Sequence, residues 1–148
     1  MKKGGVIFIM MGILLYSVCL WLDHRKVKVV AAFHGDYTAQ ILVDNFPFSE
    51  KEKINWWIKN GAEIRKKYRF PANKVKGVEY ITIFDFDEGY KELGKKDRLC
   101  FDEILPPKNC IDKNILMMIG PNLEGETVFK FDHSAWVVDK NGKLIETK

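Results

Sequence analysis

Residues 4–22, GGVIFIMMGILLYSVCLWL, carry no charged side chain, and this single run divides the chain. As an α-helix its 19 residues would rise roughly 28 Å, close to the roughly 30 Å hydrocarbon thickness of a bilayer. A helix buried in a soluble core keeps a polar stripe, and this run has none, so it is expected to be solvated by lipid. Lys2 and Lys3 precede it, and Tyr16 and Trp21 stand near its far end, where amphipathic rings favour a membrane interface. A cleavable signal peptide needs a small-x-small site after its apolar region, whereas Tyr16-Ser17-Val18-Cys19-Leu20-Trp21 supplies bulky residues. The same neighbours count against lipidation at Cys19. The expectation is an uncleaved anchor, with residues 1–3 in the cytoplasm, 4–22 in the inner membrane and 23–148 in the periplasm. Charge alone leaves the orientation balanced, since Lys2, Lys3 and the α-amine oppose Arg25, Lys26 and Lys28, one of these offset by Asp23. The choice rests on the cysteines discussed below.

Beyond the anchor, 148 − 22 = 126 residues remain, enough for a self-supporting core, with no repeat and no obvious linker. The composition, 47% hydrophobic and 30% charged, excludes disordered and collagenous chains, and a single apolar run excludes a multi-pass protein. Lys and Arg number 24 against 20 Asp and Glu, a net +4 that falls to +2 once Lys2 and Lys3 are set aside. Such a balance gives no reason to expect nucleic acid as a partner.

The soluble part is predicted to be α+β: a small, mostly antiparallel β-sheet domain with one main helix packed on it. Val27–Phe33 and Thr38–Asp44 form a hairpin about His34-Gly35-Asp36-Tyr37, and Phe46-Pro47-Phe48 ends the second strand. Ser49 and Glu52 have capping-box spacing, and Ile54, Trp57, Ile58, Gly61, Ile64 and Tyr68 follow as one apolar stripe. Asn60-Gly61 is a potential kink, and Pro71 a stop. The basic cluster Arg65, Lys66, Lys67 and Arg69 suits a helix carboxyl terminus, where cations complement the dipole. Further strands are expected at Val78–Phe84, Ile115–Ile119 and Thr127–Phe131, with a turn at Gly120-Pro121. A last hairpin joins Trp136–Val138 to Leu144-Ile145 through Asn141-Gly142, whose residues accept positive backbone dihedrals.

Cys100 and Cys110 bracket nine residues that include Pro106-Pro107, a spacing compatible with a disulfide and hence with an oxidising compartment. Without a Cys-x-x-Cys pair, redox catalysis is not indicated. Asp85-Phe86-Asp87-Glu88-Gly89 begins like a calcium loop, but an EF-hand register from Asp85 places Lys96 where the bidentate Glu belongs, so no metal is expected. From Glu79 to Glu103 there are eight carboxylates and four cations, 4 − 8 = −4. That asymmetry against a basic helix signifies internal pairing or a docking surface for a basic partner. Adjacent helical residues diverge by about 100°, so Trp57 is assigned to the core and Trp56 to its edge, where it covers the sheet margin or anchors an interface. Ser17, Ser49 and Ser134 lack a nucleophile elbow, and His133 beside Ser134 lacks an orienting third group. No catalytic residue and no cofactor is expected.

Asn45-Phe46-Pro47-Phe48, Ile54-Asn55-Trp56-Trp57, Asp97-Arg98-Leu99-Cys100-Phe101-Asp102 and Pro106-Pro107-Lys108-Asn109-Cys110-Ile111-Asp112, behind an apolar amino terminus, resemble the enterobacterial domain-of-unknown-function 943 family. The resemblance covers nearly the whole chain and implies a small single-pass envelope protein, without supplying catalytic residues. The anchor, the small cysteine-stapled domain, the acidic stretch and the lack of a catalytic constellation make protein binding at the periplasmic face the expected function. It would be an immunity protein that neutralises an antibacterial effector, or alternatively an envelope accessory or assembly subunit. Trp56, Asp85, Asp87, Glu88 and Tyr90 are the expected contacts.

Overall fold

The computed structural model describes residues 2–72 and 77–147. Helix α1 (Lys2–Asp23) contains the whole apolar run. Its apolar side chains are exposed, and it is long and apolar enough to cross a membrane. The α+β domain follows with β1 (Lys28–His34), β2 (Thr38–Asp44), α2 (Glu50–Lys67), β3 (Tyr80–Asp85), β4 (Lys91–Glu92), β5 (Arg98–Cys100), β6 (Lys108–Asp112), β7 (Ile115–Pro121), β8 (Thr127–Lys130), β9 (Ala135–Val138) and β10 (Leu144–Thr147). Seven strands form one sheet in the order β1-β2-β3-β7-β8-β9-β10, and three form a second in the order β4-β6-β5. Among the described residues every strand pairing is antiparallel except β2 with β3, which run parallel because α2 carries the chain back between them.

Strand alternation sorts the core into two layers. Ala39, Ile41 and Val43 of β2 join Ile81, Ile83, Met117, Ile119 and Phe129 under α2, where Ile54, Trp57 and Ile64 are buried. Leu42 and Phe84 point to the opposite face, against Phe101 and Ile111 of the small sheet region. Phe33 stacks on Phe101 with ring centroids 4.1 Å apart. The disulfide Cys100–Cys110 joins directly paired residues of β5 and β6.

The capping serine behaves as expected, accepting from the Glu52 amide at 3.4 Å. Several details depart from the sequence reading. Ile58 is 58% exposed, so the buried stripe is narrower than the periodicity indicated. Asn60-Gly61 does not interrupt α2; Asn60 Nδ2 donates to the Trp56 carbonyl, and an added Cβ at Gly61 would lie 2.8 Å from the Trp57 ring. Gly61 is there for close packing. Gly120 and Pro121 belong to β7, and the turn lies beyond them, where Asn122 Oδ1 accepts from the amides of Glu124 and Glu126. In the last hairpin only Gly142 of the Asn-Gly pair takes a positive φ, 77°, and Asp139 Oδ1 receives the amides of Asn141 and Lys143. The β4-β6-β5 sheet was not anticipated.

Candidate functional site

Strand directions decide what lies near α1. β1 leaves that end, β2 and β3 return to it, and α2 and β7 start from it. A cleft of about 560 Å³ opens there, with Leu22, Arg25, Asp44, Asn45, Phe48, Lys53, Asp85 and Leu116 among its walls. Asn45 adopts φ 58°, a left-handed conformation that Asn tolerates. The resulting bend after β2 buries Phe46 against the Trp56 ring, edge to face at 5.2 Å, and leaves Phe48 72% exposed. Asn45 Oδ1 accepts from Arg25 Nη1 at 3.1 Å, and the guanidinium lies 5.6 Å from the Trp21 ring centroid. Arg25 Nε is buried without a hydrogen-bond partner among the described residues. Asp44 and Asp85 end neighbouring parallel strands, so the cleft combines two cations with two carboxylates.

A second groove, about 320 Å³, shares Arg25 and Pro47 with the first and is walled by half-buried Trp56, Lys26, Glu52 and Lys59. Two of the residues singled out from the sequence, Asp85 and Trp56, thus line adjoining grooves although they lie on different elements. The others continue from Asp85. Its Oδ1 accepts from the Asp87 amide at 3.2 Å, and positive φ at Asp87 and Gly89 folds the acidic stretch into a tight turn. Phe86 turns inward and meets Tyr90 edge to face at 5.0 Å. Burial pushes the Tyr90 phenol up in pKa, so it stays protonated.

Glu88 is not an isolated surface charge, because Lys91 bridges it at 3.0 Å and also pairs with Asp112. Arg98 Nε holds the other Asp112 oxygen at 2.8 Å. Hydrogen bonds from Lys91 and Arg98 hold the Asp112 carboxyl at about 2, and Asp112 with Glu88 moves the Lys91 ammonium up. Lys113 and Asp97 add a further pair at 2.6 Å. Internal pairing therefore accounts for part of the charge asymmetry noted in the sequence.

Ser134 Oγ donates to Glu50 Oε1 and Trp136 Nε1 to Glu50 Oε2, each at 2.7 Å. These bonds tie the start of α2 to β9 and lower the Glu50 pKa, the Ser134 bond first among the causes. They give Ser134 a structural task, while His133 beside it is exposed. Cys19 is a free, exposed thiol on α1. Among the described residues no group of three His, Cys, Asp or Glu side chains is placed to hold a metal ion. The sequence reading missed Arg25, Asp44, Asn45, Phe48 and Lys53. The available signal is an Asn between a strand and a Phe-Pro-Phe segment, a pattern that by itself marks only a strand end.

A family model described as Enterobacterial putative membrane protein (DUF943) matches residues 2–148. No curated protein and no solved structure matches the chain.

Proposed function

The chain belongs to the enterobacterial putative membrane protein family DUF943, and on that premise we propose that it is a single-pass inner-membrane protein whose domain binds another protein in the periplasm without catalysis. The observation that carries the anchor is α1, whose apolar side chains are exposed on all sides and unsupported by the domain. Nineteen uncharged residues in water would be costly, and lipid removes that cost. The Cys100–Cys110 bond supports a compartment outside the cytoplasm. The tie between Ser134 and Glu50 and the shallow, mixed-charge grooves support binding over turnover.

The partner reading is an immunity protein that occludes an antibacterial effector. Asp85 ends β3 on the α1 side of the domain and Asp87 and Glu88 follow it, so the effector would be one that works at the membrane surface. An envelope accessory subunit is the second reading, favoured by the same position beside the anchor. Alkaline carbonate extraction tests the anchor, since a spanning chain stays in the membrane pellet and release of intact protein would end the proposal. For the partner, Asp85→Lys with Asp87→Lys should abolish protection against a toxin encoded beside the gene, whereas Glu124→Lys in the opposite turn should retain it. Unchanged sensitivity on gene deletion would remove the immunity reading and leave the accessory one.

A further inference from the structure

We infer that the cleft beside Leu22 is a binding site for the headgroup of a phospholipid carrying one phosphate and one primary ammonium, the phosphoethanolamine type. Three features of the cleft converge on this class. It is continuous with α1, because Leu22 forms part of its wall, so on the anchor reading it opens at the headgroup layer. Phe48, 72% exposed at the cleft, and Trp21, 65% exposed at the end of α1, are aromatic rings beside the end of the apolar run, and such rings favour a membrane interface. The walls carry both signs of charge, Arg25 and Lys53 against Asp44 and Asp85.

Arg25, part of the cleft wall, is fixed by its bond to Asn45 and by Trp21. A phosphate oxygen entering the cleft meets the Nη donors of this held guanidinium in a charge-assisted bond. The two carboxylates then meet the ammonium, whose three N–H donors match carboxylate acceptors. A trimethylated headgroup has no such donors, and a glycerol headgroup offers Asp44 and Asp85 only neutral hydroxyls, with no cation to balance their charge. The cleft therefore selects the zwitterion with a small cationic end. Its size lies within the range of small-molecule sites.

The inference rests on the anchor proposed above and not on any protein partner, so loss of the immunity reading leaves it standing; carbonate extraction reads the anchor separately. The test uses the purified full-length chain in detergent with dihexanoyl phosphatidylethanolamine, phosphatidylcholine and phosphatidylglycerol as probes, and native mass spectrometry counts bound lipid across a titration. One phosphatidylethanolamine should bind at least tenfold more tightly than either other lipid. Asp44→Asn and Asp85→Asn should each reduce that preference to about twofold or less. Arg25→Gln and Lys53→Gln should weaken all three lipids, and Glu124→Gln in the far turn should change nothing. Circular dichroism and an intact disulfide establish folding of each variant, and the four cleft positions lie on four separate segments, so loss of one variant leaves the others informative. Equal binding of the three lipids, tighter binding of phosphatidylglycerol, or a preference untouched in the folded carboxylate variants would overturn the assignment.

Discussion

The two layers that flank the seven-stranded sheet are held by different physics. Under α2 the contacts are apolar, with Ile54, Ile41 and Ile83 at 0% exposure. On the other face a ribbon of strands with two, three and five residues has few buried side chains and is fastened by Cys100–Cys110 and by the Lys91, Arg98 and Asp112 cluster. A long amphipathic helix buries enough area to hold itself in place, whereas short strands need covalent and ionic links to offset their ordering entropy.

The sharpest way to break the helix layer is Ile54→Ala, which leaves a cavity beneath α2 and should cost about 3 kcal/mol in urea unfolding of the full chain. A loss below about 1 kcal/mol would place the main core elsewhere. Reducing the disulfide comes next. Cys100 is exposed while Cys110 is 1% exposed, and opening this short loop should cost about 2.5–3 kcal/mol in the chain-entropy model. Hydrogen exchange should then rise in β4 to β6 before it rises in β2, β3 or α2; simultaneous loss would mean that the layers are one cooperative unit. Glu50→Gln weakens two 2.7 Å bonds that tie the helix layer to β9 and should cost about 1 kcal/mol, read in thermal unfolding.

The smallest effect expected is that of pH on the ribbon. The Asp112 carboxyl titrates at about 2 in the folded protein against an ordinary 3.8. A depressed carboxylate stabilises the fold above its unfolded value, and that contribution disappears as pH falls from about 4 through about 2. Asp112→Asn should flatten the acid limb of stability over that window, and an unchanged limb would show that the ion cluster does not hold the ribbon.

Much of the fold was legible because its signals are local. Ser49 and Glu52 mark the start of α2, Ile54, Trp57 and Ile64 mark its buried face, and the hairpins of β1 with β2 and β9 with β10 lie between adjacent segments. Ile58 was misassigned because periodicity gives the direction of a stripe and not its width, which the sheet beneath decides. The ribbon escaped notice because Lys91-Glu92 and Arg98–Cys100 are too short to show alternation. Asp85 and Trp56 were singled out for their chemistry, yet the grooves they line could not be seen in one stretch of chain.

What the sequence determines by itself is the division into a lipid-length apolar helix and a folded domain, the position and cap of α2, and the cysteine pair. Each depends on residue type and spacing within about 20 positions, where chain geometry leaves few alternatives. Only the tertiary structure decides that β3 lies parallel to β2 and that a second sheet covers the opposite face. It also brings Leu22, Arg25, Asn45, Lys53, Asp85 and Leu116 together around one cleft. Those pairings join residues far apart in the chain, and the burial that selects them arises only when all the layers pack at once.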